Sequence, residues 1–239
     1  MSASAAMRKL VERLYGALSA AFGPRHWWPA ETDEEVVIGA VLTQNTAWSN
    51  VEKALGNLRR AGLLGLREIH AAGEAQLAQL IRPSGYFNLK ARRLKAVAAF
   101  FADRMDGSLA SLRSENPETL RAALLSVYGV GPETADSILL YALDMPVFVI
   151  DAYTRRVMAR HGCCVPDAPY EALRRLFEAH LPRDRALFNE YHALFVAVGH
   201  RYCKPTPRCA ECPLMRRRLY ATAGAWEEMN RAIHKAQAE

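Results

Sequence analysis

Apolar residues recur at intervals of three and four along most of this chain, and capping signals rather than long polar stretches interrupt them. Leu10, Val11, Leu14, Tyr15 and Leu18 share one face of a helix near the amino end. Thr32-Asp-Glu-Glu35 is a capping box opening Val36 to Leu42, and Asn116-Pro117 caps and starts a later helix. Ala152 to Arg160, Glu171 to His180 and Arg183 to Tyr202 carry the same helical period, and Val147 to Ile150 is the one conspicuous β-branched run. The expected fold is all-α.

The 239 residues are enough for one or two cores, and 51% hydrophobic content without low-complexity tracts predicts folding throughout. No apolar run reaches the ~18 to 20 residues of a membrane span. Arg8, Glu12 and Arg13 interrupt the first helix, which reads as a docking element rather than an address label. Five cysteines, an odd number without a secretory signal, argue against a disulfide framework and for a reducing compartment. The expected location is therefore the cytoplasm, with no membrane partner. A net charge of +6 favours a polyanionic partner without deciding for one.

Two local features carry the chemistry. Gly129-Val-Gly131 turns the chain between two helical stretches, and both glycines are expected to use backbone angles closed to other residues. Such a turn leaves amides uncovered at a helix start, where they can bind a phosphate oxygen. Some twenty residues on, Asp151 stands where it can cap the helix that follows. With these residues the chain resembles the helix-hairpin-helix DNA glycosylases of the endonuclease III superfamily, in which the glycine hairpin grips DNA and this Asp is catalytic.

The resemblance implies a two-lobed fold with the DNA cleft between the lobes and Asp151 at its mouth. One lobe would be a central bundle over residues 24–143, ending in the hairpin; the other would join residues 1–23 to 144–239. Within Gly39-Ala-Val-Leu-Thr-Gln-Asn-Thr-Ala-Trp48, Gln44 matches the residue that fills the gap left by a flipped nucleotide. In Arg82-Pro-Ser-Gly-Tyr-Phe-Asn-Leu-Lys-Ala-Arg-Arg-Leu-Lys95, Tyr86 matches the second intercalating position. Lys90, Arg92, Arg93 and Lys95 form either a solvated face or phosphate contacts, with Lys90 and Arg93 the preferred DNA-binding pair. Bifunctional relatives place a lysine where this chain has Glu133, and a carboxylate cannot form a Schiff base. Hydrolysis without lyase activity is therefore expected, with water positioned by Asp151, and Glu133 is counted among the substrate-binding positions.

Trp27-Trp28-Pro29 and Trp48 match the endonuclease III-like 3-methyladenine DNA glycosylases, as do the Gln-Asn-Thr and Arg-Pro-Ser-Gly segments. Indole faces attract a cationic alkylated purine by about 0.5 to 2 kcal/mol, although burial in a core is the commoner fate of any one tryptophan. A methylated purine already carries positive charge and leaves readily, so no strong general acid is required. The expected function is excision of alkylated bases from double-stranded DNA by a monomer. A uracil or thymine mismatch glycosylase and a non-catalytic DNA-binding protein are the alternatives.

Near the carboxyl end, Cys203, Cys209 and Cys212 resemble the superfamily's iron–sulfur loop, whose full pattern has four cysteines. Arg218 stands where spacing would put the fourth. Three readings stay open: a [4Fe–4S] cluster with another fourth ligand, a zinc site completed by His200 or another group, or a remnant. Cys163-Cys164 reads as a structural pair.

Overall fold

A computed structural model describes residues 2–216, 219 and 220. Among the described residues twelve α-helices follow one another: α1 (Ala3–Phe22), α2 (Asp33–Leu42), α3 (Trp48–Arg60), α4 (Leu66–Ala71), α5 (Glu74–Leu80), α6 (Phe87–Ala102), α7 (Pro117–Leu125), α8 (Pro132–Ser137), α9 (Ala152–Arg160), α10 (Tyr170–His180), α11 (Arg185–Arg201) and α12 (Pro213–Arg216). The described residues contain no strand. Arg218, the position facing the missing fourth cysteine in the sequence pattern, lies outside the described residues.

The chain divides into two compact units, Trp28–Met145 and Met1–Trp27 with Pro146–Glu239. In the first, α4 and α5 pack on α6, and α2 packs on α3, on α6 and on the wide helical turn Ile138–Ala142 that continues α8. Local signals set the helix starts. Thr32 accepts from the Glu35 amide at 3.1 Å, but the reciprocal bond of the capping box is displaced by one residue, because Glu35 accepts from Glu31 N at 3.0 Å and holds Arg59 at 2.9 Å. Asn116 caps α7 by accepting from the Glu118 and Thr119 amides, and Pro117 fills the first helical position.

A buried ion pair locks α7 to α8. Arg121 donates through Nε and Nη2 to the two oxygens of Asp136, at 2.5 and 3.1 Å, and Asp136 is fully buried. The bidentate geometry fixes the angle between two helices that the intervening glycines leave free.

The second unit is built on an aromatic core. Phe148 stacks on Phe177 at 4.2 Å, Tyr191 stacks on Phe195 at 4.8 Å, and Tyr191 donates its hydroxyl to Val11 O in α1. The β-branched run of residues 147–150 crosses this core without forming a strand. Its amides go instead to side chains, Phe148 N to Glu178 and Ile150 N to the Tyr170 hydroxyl. Buried extended backbone needs partners, and here α10 supplies them.

Removing the Arg121 guanidinium takes from buried Asp136 its bidentate partner, so Arg121→Met should cost about 3 to 5 kcal/mol of stability. Urea unfolding checks this. A loss below 1 kcal/mol would show that the pair does not hold the two helices.

Candidate functional site

The Gly129 turn, α6 and α8 of the unit Trp28–Met145 converge on one side-chain amide. Gln44, just past the end of α2, donates through Nε2 to Gly129 O at 3.1 Å and to Thr134 Oγ1 at 2.9 Å, while its Oε1 accepts from Arg93 Nη1. The stem of Arg93 lies against the Gly129 Cα, where any Cβ would clash with it, and Gly129 has φ +80°. Glycine is thus required there twice over, by conformation and by space. Gly131 differs from expectation: it caps α8 with φ −99° and ψ 176°, extended backbone open to any residue. The strained turn belongs to Gly129 alone.

Lys90 also departs from its expected role. It is 1% exposed, and its ammonium donates to Leu42 O at 2.8 Å and Ser84 O at 2.7 Å. Burial and then the neighbouring Arg93 push its pKa down to about 8. An ammonium committed to two carbonyls inside the protein is a strut rather than a phosphate contact. Each carbonyl precedes a loop with a left-handed residue, Asn45 at φ 54° after Gln44, and Tyr86 at φ 45°. Tyr86 is 72% exposed. Non-glycine residues in this region are costly and persist where the surroundings fix them. Arg93 is half-buried, and its Nε has no hydrogen-bond partner among the described residues.

Trp28 forms a half-buried aromatic cluster with Trp48 and Tyr141. Its ring meets Trp48 edge-on at 5.2 Å and Tyr141 at 5.2 Å, and its indole lies 3.4 Å from where a Gly39 Cβ would stand. Trp48 donates its indole N–H to Glu52 at 3.0 Å. Trp27 is half-buried and belongs to the other unit, whereas Pro29 and Glu133 are exposed. Glu133 lies in the first turn of α8, where its charge meets the positive end of the helix.

Asp151, in the other unit, is 9% exposed and caps α9. One carboxylate oxygen accepts from the Thr154 amide at 2.6 Å, and the other lies 3.7 Å from His192 Nε2. His192 is buried; burial lowers its pKa below the usual imidazole value, against the opposing pull of Asp151. A neutral imidazole thus faces a carboxylate whose orientation the helix start fixes. The sequence reading missed His192, which looks like any residue of an amphipathic helix. It also missed Thr134.

Cys203, Cys209 and Cys212 line one cavity of about 330 Å³, together with Arg160, His161 and Tyr220. Among the described residues no group of three His, Cys, Asp or Glu side chains closes around a single ion. Thiols spread around a cavity suit a polynuclear group better than one tetrahedral zinc. Arg160 Nη1 donates to Cys203 Sγ at 3.4 Å, placing a cation against a potential thiolate. The three thiols share the donor chemistry of an iron–sulfur cluster and are one short of the four ligands it takes. His200, the expected zinc partner, is exposed and borders a different cavity with Arg25, Arg201, Lys204 and Arg208. Cys163 and Cys164 are buried elsewhere in the same unit.

Residues 38–183 match the profile of the HhH-GPD superfamily of base excision DNA repair proteins. The chain belongs to this family. It is 45% identical over 208 residues to a Methanocaldococcus jannaschii protein that carries the name of a DNA repair glycosylase, covering 86% of this chain and 94% of that one. Endonuclease III of Thermotoga maritima is 31% identical over 207 residues, 84% of this chain and 90% of its own. Among solved structures, the 3-methyladenine DNA glycosylase of Helicobacter pylori bound to 1,N6-ethenoadenine superposes with a TM-score of 0.68 at 27% identity, covering 84% of this chain and 98% of that one. As an HhH-GPD protein the chain is a base excision repair DNA glycosylase, and its partner is DNA. No described helix is long and apolar enough to cross a membrane.

Two outcomes follow from this geometry. Lys90→Met should cost about 1 to 3 kcal/mol for each carbonyl left without a donor and speed amide exchange at residues 43–46 and 84–87; unchanged exchange in both loops would contradict the strut. Because the folded-state pKa of His192 lies below its unfolded value, the unfolded chain binds the proton first as pH falls through about 6.5. Stability should therefore drop on acidification, and His192→Gln should flatten that part of a pH–melting curve.

Proposed function

We propose that this glycosylase is monofunctional and removes alkylated purines of the 3-methyladenine type by hydrolysis. The observation that carries the first half is Glu133, an exposed carboxylate at the position where lyase relatives have the attacking amine. A carboxylate at this place has no nitrogen with which to attack C1′ and form an imine. Asp151 then acts on water and on the sugar. As the base departs, positive charge grows at C1′, and a fixed carboxylate stabilises it while orienting the water that attacks. The cap bond to Thr154 N holds the carboxylate in place before DNA arrives, and neutral His192 adds no competing positive charge beside it.

The second half rests on the aromatic cluster of Trp28, Trp48 and Tyr141, which offers π-faces to a cationic base, and on the likeness to a 3-methyladenine enzyme. Trp27 and Pro29 extend this recognition segment. Gln44 and Tyr86 serve as the two insertion residues, each next to or at a left-handed backbone position, and the Gly129–Gly131 turn and Arg93 contact phosphate. A [4Fe–4S] cluster on Cys203, Cys209 and Cys212 would supply cross-linking of the loop that carries Lys204 and Arg208, and no chemistry at the base.

Asp151→Asn should retain lesion-DNA binding and lose several powers of ten in excision; near-wild-type excision would leave Asp151 only its capping role. Borohydride should trap no covalent DNA complex, and efficient trapping would reveal another amine at work. Trp48→Ala should impair excision of cationic alkylpurines far more than binding to abasic DNA. Equal losses on both, with a stability cost of about 3 to 5 kcal/mol, would make Trp48 a core residue and favour the mismatch alternative.

A further inference from the structure

We infer that His161 is the fourth ligand of a [4Fe–4S] cluster whose other ligands are Cys203, Cys209 and Cys212. The inference rests on the cluster reading of this loop and concerns the coordination position that the sequence pattern leaves open. A cuboidal cluster takes one protein ligand per iron, and three thiols leave one iron without protein. The other nearby candidates are turned away. Cys163 directs its Sγ to His161 O at 3.6 Å and lies outside the cavity wall, and His200 borders the separate basic pocket.

His161 is the imidazole on the wall shared by the three thiols. Its Nδ1 meets the carbonyl of Leu219, which places the ring proton on Nδ1 and leaves Nε2 as the coordinating atom. Metal-binding histidines are held in this way, by a carbonyl or carboxylate on the far nitrogen. The Tyr220 ring lies 5.4 Å from the imidazole, tilted by 31°, and limits its rotation. The preceding residue, Arg160, donates to Cys203 Sγ and to the carbonyls of Lys204 and Pro205, which ties the cysteine loop to the same helix end.

A consequence reaches the catalytic carboxylate. Helix α9 has Asp151 as its N-cap and His161 as its C-cap, with its nine residues between them. A ligand at the C-cap makes the cluster an anchor for the helix whose other end orients Asp151.

The test uses the full chain purified without oxygen, as wild type, His161→Ala, His161→Cys and His200→Ala. Wild type should contain about four irons per chain, and pulsed electron paramagnetic resonance of its paramagnetic state should show a strongly coupled nitrogen. That nitrogen should vanish in His161→Cys, which should keep all four irons and titrate at a lower reduction potential. His161→Ala should lose one iron per chain, and His200→Ala should match wild type. Zinc in place of iron, metal-free protein, or a wild-type cluster with no coupled nitrogen would overturn the inference. If His161→Ala fails to fold, the wild-type and His161→Cys spectra decide alone. Lesion excision is scored on the same wild-type sample: excision without iron refutes the ligand and leaves the glycosylase reading intact, whereas iron and nitrogen coupling without excision does the reverse.

Discussion

The buried ammonium of Lys90 is the interaction on which the loops carrying Gln44 and Tyr86 in the unit Trp28–Met145 depend. Two chain reversals, one after α2 and one before α6, contain residues in left-handed conformations that cost free energy on their own. A single charge bonded to Leu42 O and Ser84 O holds both reversals to one helix. One turn further along α6, Arg93 reaches Gln44 and Gly129, so the third loop is tied to the same element. Burying a cation is expensive, and two charge-assisted hydrogen bonds offset the cost. What the arrangement gains is position: Gln44 and Tyr86 stand on loops whose backbones are fixed before any ligand arrives, which reduces the ordering that binding must supply.

The other unit applies the same economy to a carboxylate. Asp151 is an N-cap first, and the cap bond that starts α9 also decides where its second oxygen points. Capping uses one oxygen and leaves the other facing His192, so the cap and the second oxygen do not compete for the same lone pairs. The family membership and the glycosylase function follow from the match over residues 38–183; the proposal of hydrolysis over lyase chemistry rests on the carboxylate of Glu133.

Much of the fold was legible in the sequence because helix signals are local. The periodic apolar positions and the caps at Thr32, Asn116 and Asp151 each correspond to an observed helix, and the expected 171–180 and 183–202 segments differ from α10 and α11 by one or two residues at most ends. What could not be read depends on contacts distant in sequence. Lys90 belongs to a basic run that by pattern alone is a solvated face; only the packing of α6 against two loops reveals that it points inward. The Gly131 backbone turned out ordinary because the sharp angle is concentrated at Gly129, and two glycines in a row of three do not say which one bears it. His192 and His161 gain meaning from Asp151 and the cysteines, forty-one and forty-two residues away or more. The expected unit boundaries at residues 23/24 and 143/144 fall a few residues from the observed divisions at Trp27/Trp28 and Met145/Pro146, since no linker composition marks them.

The central claim, hydrolytic release of an alkylated base without strand cleavage, is tested most directly by single-turnover reactions on duplexes each carrying one lesion. Parallel samples are read for free base, for strand breaks before alkali, and for strand breaks after alkali. The account predicts rapid release of 3-methyladenine-type bases, with breaks appearing only after alkali treatment and at the same rate as base release. Breaks that form before alkali, or release confined to uracil or mismatched thymine, would contradict it.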